Sequence, residues 1–373
     1  MRKPILVSLL ALCVCIISGS SEVIANTFTS TGSMLTTREG HTATLLKNGK
    51  VLVVGGMHWA RACPRGCGLQ LSALASAELY DPATGTFTPT GKMSVPRVFH
   101  TATLLGNGKV LVAGGDNRTS TIYATAELYD PATGIFSLIG NHMTTKRSAH
   151  AATRLGNGKV LIAGGGTPAA FFTAEIFDPA SGTFTPTGNM HVGRFYFTAT
   201  RLSNGRVLVA GGVSTSSAEL FNPGTATFTL TGSMSVERSS HTATLLTTGA
   251  VLVTGGATSG AGTGVTATAE LFDPSTGVFT PTASMHSKRE LHTATRLTNG
   301  DVLVTGGING SITLSSAELF QPTNGSFTAT GKMGSVRSEH AATLLGNGDV
   351  LITGGINTNN GGLDSLATAE LFY

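Results

Sequence analysis

Residues 41–56 read H-T-A-T-L-L-K-N-G-K-V-L-V-V-G-G, and residues 77–85 read A-E-L-Y-D-P-A-T-G. Asn48-Gly49 between two apolar runs favours a hairpin, because both residues tolerate positive φ. The continuously apolar run after it is typical of a strand buried on both faces. D-P-A-T-G is a tight-turn sequence, with proline fixing φ and glycine supplying a left-handed position. The stretch predicts four successive strands: His41–Leu46, Val51–Gly56, Ala77–Tyr80 and one centred on Phe87.

The same unit recurs seven times along the chain. Each copy has an arginine before the first strand, a turn that is Asn-Gly in six copies, a double glycine, a segment like A-E-L-Y, and a phenylalanine before G-x-M or a close variant. The arginines are 44 to 59 residues apart, which is typical of propeller repeats. Sheets with two apolar faces must be covered on both sides, and radial packing does this without helices. The sequence therefore predicts an all-β, seven-bladed β-propeller with four-stranded antiparallel blades.

The two ends of the repeat region complement each other. Residues 28–34 read F-T-S-T-G-S-M, which is a fourth strand without the preceding three, and residues 369–373 read A-E-L-F-Y, which is a third strand without a fourth. We expect the N-terminal strand to complete the seventh blade and close the ring. Residues 26–373 are predicted to form one propeller domain.

Composition limits the class of protein, and the N-terminal segment indicates its compartment. Only 12% of the 373 residues are charged and 49 are glycine, which disfavours helical bundles. Residues 1–25 have the charged start, apolar stretch and small-residue end of a secretory signal peptide, with a retained anchor as the alternative. We therefore expect a secreted or periplasmic protein that does not bind membranes once the leader is removed.

The mature chain carries a small positive charge without a basic run. Removing residues 1–25 leaves 22 basic and 19 acidic residues. Nucleic-acid binding depends on clustered cationic side chains, so it is not expected here. We expect a monomer that holds no metal or other cofactor.

Two cysteines, Cys63 and Cys67, remain in the mature chain, as C-P-R-G-C. In an exported protein such a close pair favours a small disulfide loop. Half of a metal site is the alternative, but a four-ligand zinc site needs two more ligands and the sequence has no second pair.

The repeat resembles the Kelch family over nearly the whole mature chain. The resemblance rests on the double glycine, the A-E-L-[YF]-D-P segment, the fourth-strand aromatic, and the G-x-M that precedes the arginine. The fourth strands carry phenylalanine where Kelch repeats commonly have tryptophan, which preserves aromatic packing. Kelch-like propellers commonly bind partners without catalysis, and the catalytic domain of galactose oxidase is a seven-bladed propeller of this kind.

The residues repeated in every blade are predicted to be structural. Each third-strand glutamate shares a face with a packed aromatic, so its carboxylate should be buried and need a cation. The arginine is the only cation repeated seven times, so we expect arginine–glutamate pairs within or between blades. The arginines are Arg38, Arg97, Arg147, Arg194, Arg238, Arg289 and Arg337; the glutamates are Glu78, Glu127, Glu175, Glu219, Glu270, Glu318 and Glu370. Six first-strand histidines, with Phe197 in the fourth copy, are expected to pack and to hydrogen-bond to loops.

Function is expected where the repeats differ. The loops after the second strands vary in length and share a rim with the crossings between blades, and variable loops on a rigid scaffold commonly carry binding sites. The blade 1 loop holds the sole tryptophan, an anchor for a sugar or a partner protein, or else a cap over the channel. The candidate binding residues are His58, Trp59, Arg61, Arg65, Tyr123, Tyr196 and Asn309.

The leading hypothesis is a non-catalytic exported module that binds a glycan or a protein through this rim. The enzyme alternative is a galactose-oxidase-like copper oxidase or another carbohydrate-active enzyme. Resemblance to galactose oxidase implies two tyrosines, two histidines and a crosslinked cysteine, for which the chain offers His142, His191, His286, Tyr123 and Tyr196. Against it, both mature cysteines lie in one loop, and we expect no separate copper-binding C-terminal domain. A sialidase-like hydrolase lacks a recognisable Asp-box set.

Overall fold

The predicted propeller is confirmed. A computed structural model describes residues 26–61, 69–167, 171–258, 264–359 and 362–373. In it, seven four-stranded antiparallel sheets form a closed ring. The first strand of each blade contacts the first strands of both neighbouring blades, so these strands line the central channel. Within the described ranges, no helix has the length and apolar character needed to cross a membrane.

Each blade runs from a first strand at the channel to a fourth strand at the outer surface. The strands of blades 1 and 2 are Thr42–Leu45, Val51–Val54, Ala77–Asp81 and Thr86–Pro89, then Thr101–Leu104, Val110–Ala113, Ala126–Asp130 and Ile135–Leu138. Those of blades 3 and 4 are Ala151–Arg154, Val160–Ala163, Ala174–Asp178 and Thr183–Pro186, then Thr198–Arg201, Val207–Ala210, Ala218–Asn222 and Thr227–Leu230. Those of blades 5 and 6 are Thr242–Leu245, Val251–Thr254, Ala269–Asp273 and Val278–Thr282, then Thr293–Arg296, Val302–Thr305, Ala317–Gln321 and Ser326–Ala329. Blade 7 has Ala341–Leu344, Val350–Thr353, Ala369–Phe372 and Phe28–Ser30.

The second strands end earlier than the sequence predicts. The blade 1 strand stops at Val54 rather than Gly56, because Gly55 and Gly56 adopt left-handed φ of 61° and 89°. A Cβ on Gly55 would lie 2.6 Å from the carbonyl oxygen of Arg97 and 2.7 Å from the His100 ring of the next blade. The double glycine therefore lets the chain turn where neighbouring blades approach closely.

Each blade packs on the next through apolar side chains. Every second strand is buried along its whole length, as its continuous apolar sequence predicts. One cluster joins blades 1 and 2 through Leu52, Val54, Val110 and Tyr129, and equivalent clusters join the other blades. The fourth-strand phenylalanines pack on third-strand aromatics, with ring centroids 4.8 to 5.0 Å apart.

The N-terminal strand closes the ring as predicted. Phe28 lies opposite Phe372 in an antiparallel pair, with ring centroids 5.0 Å apart. The backbone N–H of Thr31 donates to the carbonyl of Ala369 at 3.1 Å. Blade 7 is therefore assembled from two segments that are far apart in sequence.

Three loops after second strands form hairpins that rise above the ring. They belong to the consecutive blades 6, 7 and 1. We call them the wall: Ile308–Asn309 with Ile312–Thr313, Ile356–Asn357 with Asp364–Ser365, and Met57–Arg61 with Leu69–Ala73.

Candidate functional site

One rim of the propeller carries both the variable loops and the crossings between blades. Arg38 lies on the crossing that enters blade 1, and its backbone N–H donates to Leu366 in the blade 7 loop at 3.0 Å. The Arg38 carbonyl in turn accepts from Gly355 of blade 7 at 2.7 Å. Equivalent bonds recur around the ring, so each crossing is attached to the variable loop of the preceding blade.

The repeated arginines are fully buried, and each is paired inside its own blade. In blade 1, Arg38 Nη2 donates to Glu78 Oε1 at 2.8 Å, and Nη1 donates to the carbonyl of Gly55 at 2.9 Å. The other oxygen of Glu78 accepts the backbone N–H of Leu35 at 2.7 Å. The same arginine–glutamate pair is present in all seven blades. These fourteen charges hold the crossings to the blades.

Two histidines considered as copper ligands bind buried glutamates instead. His191 Nδ1 lies 2.9 Å from Glu219 Oε2, and His286 Nδ1 lies 2.9 Å from Glu318 Oε2. Burial acts to raise the pKa of Glu219, but hydrogen bonds from His191 and Arg194 outweigh it and the pKa is lowered. His142, the third such histidine, is exposed.

The first-strand histidines join neighbouring blades. Their Nε2 atoms contact threonine hydroxyls of the preceding blade, as in His150 with Thr101 at 3.0 Å and His41 with Thr353 at 2.8 Å. The expectation that they bind loops is wrong, because these threonines belong to strands. Burial, with repulsion from Arg147, lowers the pKa of His150 to about 3, so this imidazole is neutral.

A ring of left-handed residues surrounds the channel mouth on the variable rim. One residue of each blade, just before the first-strand histidine or Phe197, has φ between 51° and 59°. In six of the seven blades, the backbone N–H of this residue donates to the carbonyl of the equivalent residue in the preceding blade, at 2.9 to 3.2 Å. We call this ring the collar: Gly40, Phe99, Ala149, Tyr196, Ser240, Leu291 and Glu339. Such φ is unfavourable for residues other than glycine, and strained backbone concentrates at functional sites.

Aromatic side chains meet over the channel on one side of the collar. The rings of Phe99 and Tyr196 make an edge-to-face contact at 5.9 Å. They belong to blades 2 and 4, which are not neighbours, so both rings must project over the channel. Phe195 packs on Tyr196 at 5.6 Å and stacks on Phe171 at 5.3 Å.

Two glutamates lie on the other side of the mouth. Glu39 is 1% exposed, and burial together with repulsion from Glu339 raises its pKa to about 8. Ser365 and Trp59 oppose that shift, but neither forms a full hydrogen bond with the Glu39 carboxyl group. Glu339 is half-buried, and burial raises its pKa to about 6 although Arg118 acts in the opposite direction.

The acidic and aromatic sides are electrostatically linked. Burial raises the pKa of Tyr196, and the charge of Glu339 raises it further. The guanidinium of Arg118 lies over the Phe99 ring, 5.4 Å from its centroid. A Cβ on Gly40 would lie 3.3 Å from Glu339 Oε2 and 3.6 Å from the Phe99 ring. Glu339, Tyr196, Phe99 and Arg118 therefore share one small region at the channel mouth.

The wall stands beside the glutamates, and its hairpins contact one another. The backbone N–H of Trp59 in blade 1 donates to Ser365 Oγ in blade 7 at 3.0 Å. Thr313 joins the blade 6 hairpin to the blade 7 loop. Its hydroxyl lies 2.6 Å from the hydroxyl of Thr358, and its backbone N–H donates to Asn359 Oδ1. The wall is therefore continuous across three blades.

The structure brings together only some of the predicted binding residues. Tyr196 belongs to the collar and Trp59 lies in the wall near Glu39. The Tyr123 ring covers the buried guanidinium of Arg97 at 5.0 Å, which gives it a packing contact.

The remaining predicted residues lie farther along the wall or beyond what is described. Asn309 ends the first strand of the blade 6 hairpin, and burial lowers the pKa of His58 in the blade 1 hairpin. Arg61 ends the first strand of that hairpin, with a side chain outside the described atoms. Arg65 and the predicted Cys63–Cys67 disulfide lie outside the described residues.

Sequence reasoning missed Glu39, Glu339, Phe99 and Arg118. The first three occupy the two positions between the repeated arginine and histidine, which read E-G, V-F, S-A, F-Y, S-S, E-L and S-E in blades 1 to 7. Variation inside an otherwise constant motif was the signal that could have found them.

Comparison with known proteins shows the fold and leaves the family open. No family model matches the chain, and neither does any curated protein. Among solved structures, it is similar to a fungal alcohol oxidase of the AA5 family in complex with copper. The TM-score is 0.75 at 18% sequence identity, over 93% of this chain and 76% of that one.

The described residues do not offer a set of copper ligands. Within the described ranges, no three or more histidine, cysteine, aspartate or glutamate side chains are grouped so that they could hold a metal ion. Tyr196 reaches the channel mouth, but His191 and His286 are bonded to buried glutamates. Among the described residues, His191 and His286 are therefore engaged by glutamates and are not shown to converge with Tyr196 on one copper site.

Proposed function

We propose that this protein is an exported, Kelch-type propeller that recognises a carbohydrate at the channel mouth. The observation that carries the proposal is the meeting of Tyr196 and Phe99 with the carboxyl group of Glu339 on a collar of left-handed backbone, with Glu39 buried next to collar residue Gly40. A binding site of this type combines apolar surface with a few convergent polar groups. Kelch membership is part of the proposal and is supported by the repeated motifs.

The chemistry of the mouth suits a sugar. A pyranose has an apolar face that can pack on an aromatic ring and hydroxyl groups that can donate to carboxylate oxygens. Glu339 is half-buried and its Oε2 atom has no hydrogen-bond partner in the described part of the chain, so it is available there as an acceptor. Trp59 adds a half-buried aromatic residue at the base of the wall.

Binding of neutral glycans tests the proposal. A glycan array should identify a ligand, and calorimetry with that ligand should show at least a tenfold loss of affinity for Tyr196→Ala and for Glu339→Gln. Tyr373→Ala is the matched control, because Tyr373 is an exposed tyrosine at the end of the third strand of blade 7. Equal affinity of all three variants would exclude the channel mouth. Trp59→Ala tests the contribution of the wall.

A protein partner at the same rim is the other form of this hypothesis. Pull-down experiments with wild-type protein and with Tyr196→Ala would distinguish a protein ligand from a carbohydrate, since a protein ligand would be retained by contacts across the wall as well.

We also propose that the chain acts as a monomer, without nucleic acid or membrane as a partner. Sedimentation and the mass of the exported protein test the monomer and leader cleavage, and intact masses with and without reductant test Cys63–Cys67.

The second candidate is a galactose-oxidase-like copper oxidase, favoured by the similarity to the AA5 alcohol oxidase. At 18% identity that similarity supports the fold, so the activity rests on experiment. Stoichiometric copper in purified protein, with peroxide release from alcohols or sugars, would establish the oxidase. Full glycan binding by copper-free protein, with no peroxide release after copper is added, would support the binding site instead.

A further inference from the structure

Glu39 is a buried carboxyl group that no cation of the described residues pairs with, unlike the third-strand glutamates. The residue is 1% exposed, and neither carboxylate oxygen has a hydrogen-bond partner among the residues that the structure describes. The fourteen buried charges of the arginine–glutamate pairs are, in contrast, bonded within their blades. Buried carboxyl groups in native proteins are paired, protonated or bound to a metal, so an unpartnered one requires a specific explanation.

A second carboxyl group, that of Glu339, acts on Glu39. Glu339 belongs to the adjacent blade, lies close enough to repel Glu39, and has its own buried oxygen, Oε2, without a partner. Among the described residues, the cation acting on both is Arg118, whose guanidinium lies over the Phe99 ring. In this part of the chain, one guanidinium therefore serves two carboxyl groups.

One backbone hydrogen bond of the collar is not formed beside these glutamates. Six N–H groups of the collar donate to the preceding carbonyl, but the link from Phe99 N–H to Gly40 O is not formed. Within the described ranges, no donor reaches the Gly40 carbonyl, which follows Glu39 directly. Gly40 also lacks the Cβ that would come within 3.3 Å of Glu339 Oε2. The Gly40 carbonyl oxygen and Glu339 Oε2, neither with a partner among the described residues, thus lie in the same part of the collar.

We propose that Glu39 and Glu339 together bind one hard divalent cation at the channel mouth. Carboxylate and carbonyl oxygens are the ligands that calcium prefers, and calcium accepts irregular geometry with water filling the remaining positions. Because no third acidic or histidine side chain of the described ranges joins the two glutamates, backbone and water oxygens complete the coordination. Calcium is favoured over magnesium, which requires near-ideal octahedral geometry. The cation supplies the positive charge that the buried carboxyl groups lack.

Calcium titration of metal-stripped protein tests the site. Protein treated with a chelator and dialysed should bind calcium chloride at one site per chain in calorimetry, and its Tm should rise with calcium concentration. Glu39→Gln and Glu339→Gln should each lower calcium affinity at least tenfold. Glu290→Gln is the matched control, because Glu290 occupies the position of Glu39 in blade 6 and its pKa is raised by burial alone.

Stability without calcium provides a second measurement. Glu39→Gln removes the buried carboxyl group and its repulsion with Glu339 while keeping the shape of the side chain, so its Tm without metal should equal or exceed that of wild type. The calcium-dependent increase should disappear in the same variant. Wild-type protein that shows neither heat nor a Tm shift with calcium, magnesium or manganese would overturn the proposal, and so would equal losses in Glu39→Gln and Glu290→Gln. Glycan binding is measured separately in chelator-treated protein, so the two proposals can fail independently.

Discussion

His150 Nε2 lies 3.0 Å from Thr101 Oγ1, and this contact joins blade 3 to blade 2 inside the ring. Burial and repulsion from Arg147 lower the pKa of His150 to about 3, whereas an unfolded histidine titrates near 6.5. Between these values the unfolded chain binds more protons than the folded one, so stability falls as the pH falls. Burial lowers the pKa of all six first-strand histidines in the same way.

We therefore expect a steep loss of stability between about pH 6.5 and about pH 4. Each buried histidine contributes up to about 1.4 kcal/mol per pH unit. His150→Phe should reduce the slope of unfolding free energy against pH by about that amount, because blade 4 already carries Phe197 at this position. Urea unfolding at a series of pH values gives the slope. His142→Phe, which alters an exposed histidine, should leave it unchanged, and equal slopes for both variants would contradict the interpretation.

Loss of one buried arginine–glutamate pair should be severe. Glu219→Ala leaves Arg194 buried at 0% exposure without its carboxylate partner, which we expect to cost about 3–5 kcal/mol. Denaturant unfolding measures the loss. Asp130→Asn is the control, because Asp130 and Lys109 form an exposed ion pair at 3.0 Å whose removal should have little effect. Similar small effects of both variants would show that the buried pairs do not stabilise the blades.

The closing strand should contribute to the stability of the whole ring. Phe28→Ala removes the ring that packs on Phe372, and we expect a loss of about 2–4 kcal/mol. Phe228→Ala makes the same change in blade 4, where Phe228 packs on Phe221 at 4.8 Å. Thermal unfolding of both variants should show losses of similar size. A Phe28 variant as stable as wild type would mean that blade 7 does not depend on its N-terminal strand.

The first glycine of the double glycine should tolerate no side chain. A Cβ on Gly55 would meet the backbone of Arg97 at 2.6 Å, and φ is 61°, so Gly55→Ala should cost about 2–4 kcal/mol. Gly49 also has positive φ, but a Cβ on Gly49 would have no atom within 4 Å, so Gly49→Ala should cost about 1–2 kcal/mol. Chemical denaturation of the two variants separates close packing from backbone preference. Equal losses would assign the whole effect to backbone preference.

Repetition made the fold predictable and hid part of the candidate site. Seven copies of one pattern specified the number of blades and the turns between strands, because each depends on residues close together within a unit. The incomplete units at the two ends of the repeat region specified the closure by Phe28. Trp59 was recognisable because it lies in a loop without a repeated counterpart. Glu39 lies between the repeated arginine and histidine, so the constant residues around it indicated a structural role.

The electrostatics of the mouth could not be derived from the sequence. The pKa of Glu39 depends on burial and on Glu339, which is 300 positions away along the chain. The approach of Phe99 to Tyr196 depends on two left-handed residues in separate blades. These relationships follow from ring closure and from the radius of the channel, which no single repeat specifies.

Blade 7 also makes the fold suitable for circular permutation. Thr27 and Tyr373 exchange backbone hydrogen bonds at 3.4 Å, so a short peptide linker would join these two positions without crossing the ring. New termini at the exposed Asn107-Gly108 turn would transfer the non-covalent junction to blade 2. In such a permutant, every strand of blade 7 would belong to one continuous segment of polypeptide, and the channel mouth on the opposite rim would keep its arrangement.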